Sequence, residues 1–206
     1  MVVVRDCAMG RKRWFFVLIL ASLALFSCEG IKGTGIKGLE GQTVFNRVSF
    51  RTDGDNRIEH TNPFSGGVFI PPGTACAIKA ISPKEIKFFA RGHSYILTSW
   101  RIGYGRVNTR ISFYKFFAQT KEAVGLDKVS PEFRESVLAG IARVGMNKGE
   151  VLLSLGYPAY LDKETPTTDV SRSGIVASDD WYYLQPGKGK VSLQFKEGLL
   201  TKIVGP

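Results

Sequence analysis

Few residues in this 206-residue chain are of types that do chemistry, and most are badly spaced for it. The cysteines are Cys7, Cys28 and Cys76, and the histidines are His60 and His93. Neither histidine has a second ligand type at metal-motif spacing, so both are expected to be structural or surface groups. Asp179 and Asp180 form an adjacent carboxylate pair. Neighbours on a strand point to opposite faces, so shared proton chemistry is not expected and the pair reads as solvated. Gly33-x-Gly35-x-x-Gly38 has the form of a dinucleotide fingerprint. No strand is expected before it and no helix after it, so the phosphate cradle cannot form. No G-x-S-x-G and no Walker A sequence occurs. The sequence therefore assigns no catalytic residue, no metal and no cofactor, and the chain reads as a non-enzyme. Cys76 lies in Ala75-Cys76-Ala77-Ile78 and is expected to be a buried core thiol, because free cysteine packs like a small hydrophobe.

Cys28 is the exception. Arg11-Lys12-Arg13 precedes an apolar run over residues 14–26, which ends in Leu25-Phe26-Ser27-Cys28. Thirteen helical residues rise roughly 20 Å, short of the ~30 Å hydrocarbon core, so a signal segment is expected rather than a membrane span. Its end resembles the lipobox of bacterial lipoproteins, with Leu three before the cysteine and a small residue just before it. That resemblance implies cleavage before Cys28, a diacylglycerol thioether on its sulfur and acylation of the new α-amine. Several buried acyl chains, palmitate among them, anchor far better than one. Met9 opens a compact version of this signal. Glu29 follows the cysteine where enteric-type sorting uses Asp for inner-membrane retention, and the similarity favours the outer membrane, with the mature chain facing the periplasm.

Charge narrows the partners. Arg5, Arg11, Lys12 and Arg13 against Asp6 put +3 of the total +10 on residues 1–27, leaving +7 on the rest. Such an excess suits an anionic lipid surface or an acidic protein partner. No predicted helix carries a dense basic face, so nucleic acid is excluded as a partner. With Cys28 lipidated, Cys76 has no partner for a disulfide.

The elements that must carry these residues fall into four stretches: the signal segment 1–27, a Gly-rich tether 28–42, a small β module 43–107, and helices plus an α/β module over 108–206. Residues 43–50 place Val44, Asn46, Val48 and Phe50 on one face. Turn chemistry follows at Asp53-Gly54-Asp55-Asn56 and at Pro71-Pro72-Gly73-Thr74, with strands expected over 75–81, 85–90 and 93–97. The passage from Ile70 to Ile78 is similar to the turn-strand passage of bacterial SH3-like barrels, implying a small antiparallel barrel. From residue 108 the period changes. Phe113, Phe116, Phe117, Thr120 and Val124 share one helical face, with Gly125 as the stop. Ser130-Pro131 starts a second helix lined by Phe133, Val137 and Ile141.

The sharpest motif runs from Gly145 to Pro158. Asn147 can cap a helix, Glu150 three residues on completes a capping box, and Val151, Leu152 and Leu155 supply its buried stripe. Gly156 suits a left-handed terminus, and Pro158 blocks extension. After a polar connection over 159–180, expected to be a mobile loop, come three strands: 180–184, 191–195 and 199–204. Lys196-Glu197-Gly198 turns the last two into a hairpin.

This order resembles the SmpA/OmlA (BamE-like) family of outer-membrane lipoproteins over about residues 130–205. The matching pieces are Gly145-Met146-Asn147, Leu155-Gly156-x-Pro158, Trp181-x-Tyr183, Leu193-x-Phe195 and Gly198-x-Leu200-Thr201. The resemblance implies an α+β fold, two helices on a three-stranded antiparallel sheet, placed here after the SH3-like barrel. It also implies a non-enzymatic scaffold or assembly factor among outer-membrane β-barrel assembly proteins. The alternative is a periplasmic binding or inhibitor lipoprotein that recognises a cell-wall ligand or a secreted enzyme. Trp181, Tyr182 and Tyr183 are the expected interface residues, with alternate members facing the core.

Overall fold

Val44, Asn46, Val48 and Phe50 are all buried, as their alternation predicts, yet they do not share a strand. The computed structural model describes residues 38–59, 64, 66–82, 85–98, 109–168 and 170–205. The signal segment, Cys28, the tether to residue 37 and His60 lie outside the described residues. β1 (Thr43–Asn46) ends where the Asn46 side chain locks a corner. Its Nδ2 donates to Val48 O at 2.9 Å and Pro71 O at 2.8 Å, while its Oδ1 accepts Thr74 N at 2.6 Å. A fully buried amide with these partners met is stable in the core and fixes the chain's turn. β2 (Phe50–Arg51) then pairs with β4 (Phe69–Ile70), and β3 (Arg57–Glu59) lies between them in sequence.

The larger sheet is built on β5 (Ala75–Ile81), β6 (Glu85–Ala90) and β7 (His93–Thr98), three strands that the alternation predicts. Leu39 is buried beside it, and Gly41 N donates to Ile78 O at 2.8 Å. α1 (Thr109–Phe116) follows, then β8 (Phe117–Ala118), which crosses back to pair with β1. The six strands run in the order β3-β7-β6-β5-β1-β8, antiparallel except for the parallel pair of β3 with β7.

Two helices are shorter than their periodicity predicts. The first ends at Phe116 because Phe117 leaves it for the edge of β1, and residues 122–128 form two 3₁₀ turns. Phe113, Phe116, Phe117 and Val124 are buried all the same, while Thr120 is exposed. The second, α2 (Arg134–Ala139), is preceded by a 3₁₀ turn at Pro131–Phe133 and stops at Gly140, whose φ is 72°. A Cβ there would also lie 2.5 Å from the Phe69 ring. Ile141 is thereby left 49% exposed rather than lining the helix.

The residue 147 capping box forms as the spacing predicts, opening α3 (Lys148–Leu155). Gly156 ends it with φ 80° but ψ −161°, an extended conformation only glycine takes readily, and not the left-handed helical one. The connection over 159–180 is ordered into β9 (Tyr160–Leu161), β10 (Thr165–Pro166) and α4 (Arg172–Ala177). These precede β11 (Asp180–Gln185), β12 (Gly189–Lys196) and β13 (Leu199–Val204). The second sheet has five strands, in the order β10-β9-β11-β12-β13.

The expected fold class is therefore corrected. Neither a closed SH3-like barrel nor a BamE-like pair of helices on a three-stranded sheet forms. The chain is a β-rich α+β fold with thirteen strands and four α-helices among its described residues. Barrel closure fails because the outer edges of β1 and β7 are taken by β8 and β3. The second sheet exceeds three strands because Leu161 and Tyr160 pair with Trp181 and Tyr182. One apolar cluster runs from Leu39 to Leu200. α3 is held to the β1–β2 corner, where Ser49 N donates to Leu153 O at 3.0 Å and the Ser49 hydroxyl donates to Ser154 O.

Candidate functional site

The first turn of α3 opens onto a groove of about 380 Å³. Asn147 Oδ1 accepts Glu150 N at 3.0 Å, and Glu150 Oε2 accepts Asn147 N at 2.9 Å. The other Glu150 oxygen accepts Ser130 N at 2.8 Å, which ties the helix start to the end of the 3₁₀ turns. Glu150 is thus almost fully buried with both oxygens occupied, and its charge serves the fold. Gly149 sits between these partners on the groove wall, where a Cβ would come within 3.1 Å of Asn147 Oδ1. The glycine that looks costly inside a helix leaves room for the cap.

Three cations from separate segments line the groove: Arg47, Lys128 and Arg172. Arg47 follows β1, and its guanidinium is held by Phe117 O at 3.0 Å and Ala123 O at 3.1 Å. Arg172 is the first residue of α4, behind the Ser171 cap, and donates to the Tyr157 hydroxyl at 3.4 Å. Burial pushes the Tyr157 phenol up from its ordinary range, while the charges of Arg172 and Arg47 both pull it back. The two guanidiniums therefore act on one point. Lys128 ends the second 3₁₀ turn and is exposed. Among the described residues none of the three forms an ion pair. Glu122 lies on the groove wall, and Val124, Val129 and Leu153 supply its apolar part. Guanidinium forks and an ammonium around such a space can bind carboxylate or phosphate oxygens.

The residues singled out by sequence lie mostly elsewhere. Trp181 and Tyr183 are fully buried, so neither is available to a partner; only Tyr182 faces outward, half-buried. The alternation of β11 is what separates them. Trp181 lies 4.5 Å from Phe195, ring to ring. Gly145 N donates to Leu200 O, Met146 O accepts Leu200 N, and Lys148 N donates to Gly198 O, so Gly145, Met146 and Gly198 clamp α3 to β13. Leu155 and Pro158 are buried beside it. Asp179 forms a 2.6 Å ion pair with Lys148, whose ammonium also donates to Val176 O at 2.8 Å. Asp180 accepts Gln194 Nε2 at 3.4 Å, so the two carboxylates are engaged separately. Cys76 is fully buried, and burial pushes its thiol up to about 12. His93 stands exposed at the start of β7.

Of the residues singled out as site or motif candidates, Asn147 lines the groove, together with its capping partner Glu150. Arg47, Lys128 and Arg172 carry no sequence signal, because they meet only through chain crossings. Among the described residues no helix is long and apolar enough to cross a membrane, and no group of three metal-ligand types is placed to hold an ion. The chain matches no protein-family profile, no curated protein and no solved structure.

Proposed function

We propose that this protein is a non-enzymatic envelope lipoprotein, anchored in the outer membrane through Cys28 and facing the periplasm, that acts by binding. The observation that carries the binding role is the groove in front of α3, where three cations gather that form no ion pair among the described residues. They outnumber the two carboxylates of the same lining, Glu122 and Glu150, so the arrangement fits an anionic partner. The lipobox-like Leu25-Phe26-Ser27-Cys28 supports the address. The SmpA/OmlA-like motifs support a scaffold or assembly role among outer-membrane β-barrel assembly proteins. Metabolic labelling with a palmitate analogue tests the anchor: labelling is expected on the native chain and lost in Cys28→Ala. Affinity purification from solubilised envelopes tests the role, and recovery of β-barrel assembly subunits is the expected result.

A second reading has its own support. The groove is of small-ligand size, within the ~300–1,000 Å³ range of such sites, which favours a binding or inhibitor lipoprotein. Recovery of cell-wall fragments or of a single secreted enzyme would establish that reading and sink the assembly role.

A further inference from the structure

We infer that the groove before α3 is a binding site for a phosphate-bearing ligand, either a soluble phosphate ester or the headgroup of a phospholipid. The inference deepens the binding role proposed above and rests on it, but not on the lipid anchor. Arg47 is immobilised by two backbone carbonyls, at 3.0 and 3.1 Å, and so is preorganised. Arg172 is the second guanidinium, and its hydrogen bond to Tyr157 is long, at 3.4 Å, so little is lost when it turns to a ligand. Lys128 adds an ammonium on the exposed side. Together they bring three positive charges to the lining against the two carboxylates of Glu122 and Glu150, which leaves the wall net positive. Glu150, the nearest buried acid, is spent on Ser130 N and Asn147 N. A volume of about 380 Å³ exceeds what a bare phosphate needs, and the apolar wall of Val124, Val129 and Leu153 can take the ester substituent.

The test uses the full chain in detergent micelles and calorimetric titration with glycerol 3-phosphate, with succinate as the carboxylate control. A parallel arm measures co-sedimentation with phosphatidylcholine vesicles containing phosphatidic acid. Lys128→Ala and Arg172→Ala are each expected to weaken binding at least about tenfold, the loss of one charge-assisted contact. Raised salt should weaken it as well. Binding of glycerol 3-phosphate with that sensitivity establishes a soluble ester; binding of vesicles alone, with the same sensitivity, establishes a headgroup. Lys128 is exposed, so Lys128→Ala and Lys128→Glu decide the matter if Arg172→Ala does not fold. Absence of binding in both arms overturns the inference, as does binding that the Lys128 variants leave unchanged. Succinate binding as tight as phosphate binding would overturn the phosphate assignment and leave the binding role standing.

Discussion

Two aromatic regions of the core are built on different principles. Beneath the six-stranded sheet the rings are mostly phenylalanine. Phe117 lies 5.9 Å from Phe50, 5.4 Å from Phe88 and 5.2 Å from Phe113, in tilted or edge-on arrangements. Around α3 and the five-stranded sheet three of the buried rings, Trp181, Tyr183 and Tyr157, carry polar tips, and each tip reaches a carbonyl. Trp181 Nε1 donates to Ile175 O and Ser178 O, both at 3.1 Å. Tyr183 OH donates to Gly156 O at 3.0 Å, and Tyr157 OH donates to Lys115 O at 2.9 Å. The first region gains by area and ring geometry alone, which is large but tolerant of small shifts. The second gains less per contact but pins the backbone at Lys115, Gly156, Ile175 and Ser178, because a buried donor left without its carbonyl is costly. Tyr95 sharpens the contrast: it sits in the phenylalanine region, and its buried hydroxyl has no hydrogen-bond partner among the described residues.

The largest effect is expected from Phe117→Ala, which empties the centre of the phenylalanine cluster. It should cost about 3–5 kcal/mol in a urea unfolding experiment. A loss below about 1 kcal/mol would mean that the cluster is loosely packed. Next comes Trp181→Phe, which keeps a ring against Phe195 but removes the indole donor from Ser178 O and from Ile175 O, the latter keeping only Ser178 N. About 2 kcal/mol is expected, with faster amide exchange over residues 172–178. Tyr183→Phe should cost about 1 kcal/mol, whereas Tyr95→Phe should be neutral or slightly stabilising. Equal losses at the two tyrosines would erase the distinction between the regions.

The smallest effect is invisible at neutral pH. The Cys76 thiol is pushed from 9.0 up to about 12 by burial, against a weaker opposing contribution from Asn46. Its share of stability is complete below pH 9 and declines between pH 9 and about 12, because the unfolded chain releases the proton first. The buried phenols of Tyr157 and Tyr183 are raised too and act in the same direction at higher pH. Unfolding midpoints should stay flat to pH 9 and then fall, with a shallower fall in Cys76→Ala. An identical fall in the variant would assign the whole dependence to the tyrosines. A thiol reagent at pH 8 should label Cys76 only after unfolding.

The same division separates what was legible in the sequence from what was not. Turn and cap chemistry is local, so Asp53 accepting Asp55 N and Arg57 N, the hairpin at Glu197-Gly198 and the Asn147–Glu150 box were all readable. Strand alternation placed Val44, Asn46, Val48 and Phe50 on one face, and all four are buried. The failures involve competition between distant segments. Phe117 satisfies a helical period but gains more by pairing beside Asn46, and Ile141 is cut off by the close approach of Phe69 to Gly140.

By itself the sequence determined the strands of residues 75–98 and 180–204, the burial of Cys76 and the cap that starts α3, since each follows a pattern among neighbours along the chain. The sequence also carries the signal and lipobox pattern on which the proposed address rests. Only the tertiary structure decided the open six-stranded sheet, the five-stranded sheet, and the meeting of Arg47, Lys128 and Arg172. The physical reason is that strand pairing and charge convergence depend on which distant edges and faces meet, and no spacing within a single segment encodes that choice.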